Sequence, residues 1–166
     1  GIREVFIEAV GKDADFSFSK AYSPVDFGKL RYCEARVWSF FNHFADGFDK
    51  YLSYAMGENP DAEPMPLWVV PNKKLSVQDV LNVLRDHYEG TPMALDNDPG
   101  QGIYEVPYRP TPLSYEYNGK KYFNERPIST QQSAFVWIGQ MRAHMPREVG
   151  GVLWFANDDS NMVPFT

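Results

Sequence analysis

Reactive side chains are sparse in this sequence, and their spacing excludes more chemistry than it offers. Cys33, in LRYCEARVW, is the only thiol. A cysteine nucleophile needs a neighbouring base and an exposed, electropositive setting. Free cysteine is among the most buried residue types, so Cys33 is expected to be a small buried thiol. One cysteine permits no intrachain disulfide and says nothing of the redox compartment. His43, His87 and His144 form no HxxxH or Cys/His ligand pattern, which leaves zinc unsupported and no metal expected. His87 is expected to interact with a helix C-terminus. Asp158 and Asp159 are adjacent in a turn rich in Asn and Ser, where such residues shape the turn; a hard cation would need more widely spaced oxygens. The densest polar group is Arg126, Ser129, Thr130, Gln131 and Ser133, in RPISTQQS, directly ahead of a strongly apolar run.

The element that follows this polar group is a predicted strand over Ser133–Arg142. It is apolar on both parities, with Phe135 and Trp137 on one side and Ala134, Val136 and Ile138 on the other. Strands of that kind are normally covered on both faces. Pro146 and Gly150–Gly151 reverse the chain, and a second such run spans Val152–Phe155. The polar turn Asn157–Asn161 leads to a third extended segment, Met162–Phe165. The pattern predicts an antiparallel meander buried on both sides. Arg142, ending the first strand, is expected at the surface in a structural role.

Earlier in the chain, Ile2, Val5, Phe6, Ala9 and Val10 have helical spacing, with Gly11 as a stop. DADFSFSKAYSP reads as an extended or irregular segment, with Phe16 and Phe18 on one parity. A helix is predicted from Asp26 to about Ala45. Its apolar stripe is Val37, Trp38, Phe41, Phe44 and Ala45, and Arg31, Glu34 and Arg36 form the wetter side. Trp38, Phe40, Phe41 and Phe44 are expected in the core. MGENPDAEPMP is a surface loop, and LWVVP a short extended piece ending at Pro71. The cleanest helix signal is Ser76–Glu89, where Ser76 is an N-cap and Asp79 completes an approximate capping box. Val77, Val80, Leu81, Leu84 and Tyr88 repeat on one face, and Gly90 and Pro92 end it. Residues 91–125 form a long Pro-, Gly- and Tyr-rich loop. Asn118–Gly119 is a tight-turn signal within it, in EYNGKKYF. Its tyrosines, Tyr104, Tyr108, Tyr115, Tyr117 and Tyr122, are candidates for a substrate-side lid or an intersubunit contact.

The totals narrow the function classes. The chain has 166 residues, a net charge of −6 and 16% aromatic residues. One domain is the default expectation at this length, and the aromatic content excludes a disordered chain. The negative charge, with no Lys/Arg-rich tract, argues against nucleic acid and anionic membrane as partners. No apolar run reaches the ~20 residues of a membrane span. The first residue is not Met and the last residues fall in an apparent strand, so the chain reads as an excised or processed piece of a longer one.

At HYEGTP (87–92), RPISTQQSAFVWIGQMR (126–142) and GGVLWFANDDSNMVPF (150–165), the chain resembles the PepD-type dipeptidases. These are N-terminal-nucleophile cysteine peptidases with the secernins as eukaryotic relatives. FSFSKAYS, RVWSFFN and KKLSVQDVLNVLRDHYEGTP fit the same pattern in the same order, over nearly the whole chain. The resemblance implies an α+β fold, part of the αββα sandwich of N-terminal nucleophile hydrolases, with antiparallel sheet and flanking helices. It also implies a cysteine at the mature N-terminus that attacks the peptide carbonyl, its own α-amino group serving as base, with preorganised donors for the oxyanion. No organic cofactor or metal is implied.

The resemblance further places Arg126, Ser129, Thr130, Gln131 and Ser133 near the catalytic sheet. On that reading Arg126 clamps a dipeptide carboxylate or supports the nucleophile, and Gln131 donates to substrate. The structural alternative has Arg126 in an ion pair and the others satisfying strand ends. The chain departs from the pattern at its start, which is Gly1, and Cys33 lacks the free α-amine that defines the nucleophile. The 166 residues are therefore expected to be a single partial domain of a dipeptidase, central to C-terminal, inactive alone. The expected partners are a short peptide and the remainder of the parent chain, with self-association through exposed strand edges and apolar surface. The alternatives are a non-catalytic, secernin-like scaffold or peptide-binding module, and an independent aromatic-rich carbohydrate- or peptide-binding domain.

Overall fold

The structure, a computed structural model, describes residues 22–23, 25–109, 114–123 and 125–166. The expected helix ending at Gly11 and the extended segment around Phe16 and Phe18 lie outside the described residues. Within them the chain is mixed helix and strand, in accord with the α+β expectation.

A continuous helical stretch occupies the span expected for the first described helix. Helix α1 (Phe27–Lys29) is capped by Asp26, whose carboxylate accepts from the Lys29 N–H at 2.7 Å. A π-helical turn, Leu30–Glu34, leads into α2 (Ala35–Phe44). The buried face of α2 carries Ala35, Trp38 and Ser39, at helical spacing, and Phe44. Val37, expected in the apolar stripe, is exposed. Cys33 is exposed rather than buried, because the same wide turn gives Leu30 and Ala35 to the core and faces Cys33 outward. A left-handed Gly47 then starts a 3₁₀ turn, Phe48–Tyr51, and α3 (Leu52–Ala55) follows. The Trp38 indole N–H donates to the Phe48 carbonyl at 2.9 Å, giving a buried donor its acceptor.

Helix α4 is Val77–Val83, capped by the Ser76–Asp79 box in full reciprocal form. It ends well before the expected Glu89. Arg85 and Asp86 donate to the carbonyls of Asn82 and Val83, three residues back, tightening the last turn. Tyr88 then adopts φ +66°, which no helix accommodates. Tertiary contacts of Asp86 and Tyr88 override the sequence periodicity here. LWVVP forms no strand, and Leu67, Trp68 and Val70 are exposed.

The NG hairpin forms as expected. β1 (Ser114–Tyr117) pairs antiparallel with β2 (Lys120–Phe123), and Asn118 and Gly119 have φ +50° and +72°. Tyr115 and Tyr122 are register partners, stacked at 5.0 Å. The main ladder also forms: β3 (Phe135–Met141) pairs antiparallel with β4 (Gly151–Asn157), Trp137 opposite Phe155 and Ile138 opposite Trp154. The expected third extended segment, Met162–Phe165, forms no strand; only Thr166, just beyond it, exchanges a pair of bonds with Phe155, at 3.0 Å each. The expectation that both faces are covered does not hold among the described residues. Val136, Ile138, Trp154 and Ala156 turn to the covered face, where α4 packs against β3. Phe135, Trp137, Met141, Leu153 and Phe155 face outward and are exposed. The main core sits instead among the π-helical turn, α2, α3 and residues 88–95, around Leu30, Trp38, Tyr54, Tyr88, Met93 and Leu95.

Candidate functional site

The segment Leu84–Tyr88 is the hub that joins the helical core to the sheet. The Ser129 N–H donates to the Asp86 carbonyl at 3.0 Å. The Arg85 Nε donates to the Ser160 carbonyl at 3.0 Å, and the Ser160 hydroxyl donates to the Leu84 carbonyl. The Tyr88 hydroxyl donates to the Arg126 carbonyl at 3.1 Å. The turn after α4 thus sets the path of residues 126–130, and with it the polar group ahead of β3.

Four of the five polar residues singled out in the sequence come together. Arg126, Ser129, Thr130 and Gln131 line one open cleft of ≈ 240 Å³, with Tyr32, Leu95, Tyr108, Arg109 and Glu125 among the other walls. Ser133 is not on that wall; its N–H closes a turn onto the Thr130 carbonyl at 2.9 Å. Thr130 donates through its hydroxyl to the Gln132 side chain, and the Gln131 amide donates to the Arg109 carbonyl at 2.6 Å. Ser129 is buried, its hydroxyl donating to Asp159.

The charges at the cleft are unequal in their freedom. Glu125 is tied to Arg31 at 2.6 Å. Arg109, buried, holds the Leu95 carbonyl at 3.2 Å and the Asp98 carboxylate. Arg126 is exposed, its guanidinium 6.0 Å from the Tyr32 ring centre, with no carboxylate partner among the described residues. A cation held on an aromatic face and left unneutralised suits an anionic ligand group.

Behind the cleft lie the titratable groups. Asp86 is buried and accepts from the Ser39 hydroxyl at 2.6 Å, with His43 Nε2 at 3.2 Å. The bond to Asp86 raises the His43 pKa above its ordinary value; burial opposes this, and the charges of Asp86 and Glu89 add to the rise. His87 is buried. Its Nδ1 lies 2.9 Å from Glu89, and its ring meets that of Tyr108 edge-on at 5.5 Å. His87 therefore engages Glu89 and does not cap α4. Burial works against the Glu89 carboxylate, but the bonds from His87 outweigh it and hold the group down at about 2. Burial pushes the Tyr88 phenol well above its ordinary value. Asp158, with φ +72°, accepts from the Asp159 N–H at 2.9 Å, while Asp159 turns inward to Ser129.

Tyr108, one of the loop tyrosines offered as a substrate-side lid, does line the cleft, whereas Arg109 and Asp86 were not among the sequence candidates. Arg109 lies in a loop whose composition gave no periodic signal. Asp86 sits at the edge of HYEGTP, and its tie to α2 depends on contacts 43 and 47 residues away. Cys33 lies on a different surface, in an apolar groove with Val37, Phe40, Phe41, Leu67 and Ile128. Among the described residues no three His, Cys, Asp or Glu side chains form a metal-ligand group, and no helix is long and apolar enough to cross a membrane.

Comparison with known proteins gives the site its context. The chain is 28% identical over 145 residues to a probable dipeptidase of Salmonella dublin, covering 86% of this chain and 27% of that protein. It is 27% identical over 170 residues to probable dipeptidase A of Streptococcus pyogenes serotype M3, covering 96% and 31%. It is 28% identical over 137 residues to dipeptidase A of Lactobacillus helveticus, covering 81% and 24%. The chain thus spans less than a third of the length of these relatives. No solved structure matches it. The description Peptidase family C69 matches residues 4–166. By that match over nearly its whole length, the chain belongs to peptidase family C69.

Proposed function

We propose that this chain is the part of a dipeptidase that binds the peptide, in the cleft lined by Arg126, Ser129, Thr130, Gln131 and Arg109. The observation that carries the reading is their convergence on one cleft, in a chain of the C69 family, with Arg126 at its mouth and no carboxylate paired to it among the described residues. Arg126 takes the carboxylate of a short peptide and the Gln131 side chain steadies the wall.

The chemistry is that of an N-terminal cysteine which these 166 residues do not supply, so the piece alone is inactive. The α-amine takes the thiol proton and sulfur attacks the peptide carbonyl. The amine of the leaving residue departs with that proton, and water then cleaves the thioester. The sandwich follows from the same reading. The outward face of β3 and β4, with Phe135, Trp137, Leu153 and Phe155, is where a second sheet packs, while α4 covers the inner face.

The test is dipeptide hydrolysis by the intact protein and by this chain alone. Turnover by the intact protein that is lost when its N-terminal cysteine is replaced by alanine, with this chain inert, is the expected result. Turnover that survives that replacement overturns the mechanism, and an intact protein that binds dipeptides without cleaving them favours a peptide-binding module.

A further inference from the structure

We infer that Asp86 is a positioning residue for the cleft wall, and that the protonation of His43 sets how firmly it holds. The inference rests on the reading that peptide binds in this cleft. Asp86 is 5% exposed and works in two directions. Its carboxylate faces α2, taking the Ser39 hydroxyl on one oxygen at 2.6 Å and His43 Nε2 on the other at 3.2 Å. Its carbonyl accepts the N–H of Ser129, a residue of the cleft wall, at 3.0 Å. One residue therefore fastens the wall of the cleft to the helical core.

The two fastenings on α2 differ in kind. Ser39 is buried and does not titrate, whereas the His43 side chain is 48% exposed and exchanges protons with solvent freely. The charged groups that face His43 are Asp86 and, further along the same turn, Glu89. Glu89 is itself engaged by His87 at 2.9 Å, and Phe44 lies beside His43 with ring centres 6.3 Å apart. With imidazolium at position 43, the contact with Asp86 gains the attraction of a full ion pair, which the neutral ring lacks. The folded His43 pKa is raised, so this stabilisation is fully present below the ordinary value of 6.5 and is lost as pH rises through the folded one. The cleft wall is accordingly held most firmly on the acidic side.

The experiment is amide exchange at Ser129 in the intact protein, alongside kcat and KM for dipeptides, across the same pH range. Ser129 protection, corrected for the intrinsic pH dependence of exchange, is expected to fall about three- to tenfold from about pH 6 to about pH 9. KM is expected to rise over the same interval with little change in kcat. His43→Arg keeps a cation at every pH and should hold the acidic behaviour throughout, while His43→Gln should show the alkaline behaviour throughout. Asp86→Asn weakens both fastenings, and His43, being half-exposed, supplies the variants that fold if that one does not. Ser129 protection that does not vary with pH, or that varies alike in His43→Arg, overturns the inference. Protection that varies as expected while KM stays flat leaves the coupling in place and overturns the placement of peptide in the cleft.

Discussion

The hydroxyl of Ser129 donates to the carboxylate of Asp159, 30 residues further on, and both side chains are about 1% exposed. The bond ties the approach to β3 to the end of β4 and closes the hairpin from its open side. Ser160, next in line, carries the tie on to Leu84 at the end of α4. The sheet is thereby attached to the helical body through buried polar groups, since only Ala156 of its two strands is fully buried.

Removing the Ser129 hydroxyl leaves a buried carboxylate short of its main donor. Ser129→Ala is expected to lower stability by about 1–3 kcal/mol, the cost of an unsatisfied buried acceptor. Urea denaturation checks this, and an unchanged midpoint would mean that the neighbouring Ser160 hydroxyl, 3.4 Å from the same oxygen, suffices.

Tyr88 is fully buried and bonds through its hydroxyl to the Arg126 carbonyl at 3.1 Å. Tyr88→Phe should cost about 1 kcal/mol for that bond, and Tyr88→Ala about 3–5 kcal/mol for the cavity. Equal losses in the two variants would show that the ring contributes nothing to the core.

Glu89 gives a pH dependence of opposite sign to that of His43. Its carboxyl is held down at about 2 against an ordinary 4.5, mainly by His87 working against burial. Its contribution is therefore present above pH 4.5 and is lost as pH falls from there toward 2. Denaturation midpoints should fall across that interval, and Glu89→Gln should flatten this part of the profile. The same slope in wild type and variant would assign it to other carboxylates.

Arg126 is a cleft cation with no carboxylate partner among the described residues. In the intact protein Arg126→Gln should raise KM for dipeptides about tenfold, the worth of one charge-assisted contact, with a smaller effect on kcat. C-terminally amidated dipeptides, lacking the carboxylate, should respond little to the substitution. An equal response would assign Arg126 to holding the fold.

Trp137 stands on the outward sheet face, 58% exposed, opposite Phe155. In the isolated chain this face should bind an apolar dye and drive self-association. Trp137→Glu should reduce both, as followed by dye fluorescence and sedimentation. A monodisperse, dye-silent isolated chain without the substitution would remove the basis for a sheet face that awaits a partner layer.

Much of this was legible from local sequence, because local physics decides it. Asn118–Gly119 selects a hairpin turn wherever two β-forming runs flank it, and Ser76 with Asp79 caps a helix through groups three residues apart. The two apolar runs gave β3 and β4 and their antiparallel sense, and the ordered motifs gave the family. Local pattern failed where distant contacts decide. The periodicity through Tyr88 is helical, yet the helix stops at Val83, because Asp86 reaches Ser39 and His43 while Tyr88 turns into the core. Cys33 is apolar enough to be buried, yet the wide turn presents Leu30 and Ala35 inward instead. Two-sided apolar strands state that both faces suit burial, but only packing fixes which face these residues cover themselves. Sequence by itself determined the family, the strand pair and the polar group ahead of β3. Tertiary structure alone decided that Arg126, Ser129, Thr130 and Gln131 share a cleft with Arg109, because hydrogen bonds from Leu84–Tyr88 set their path, and such bonds leave no trace in spacing.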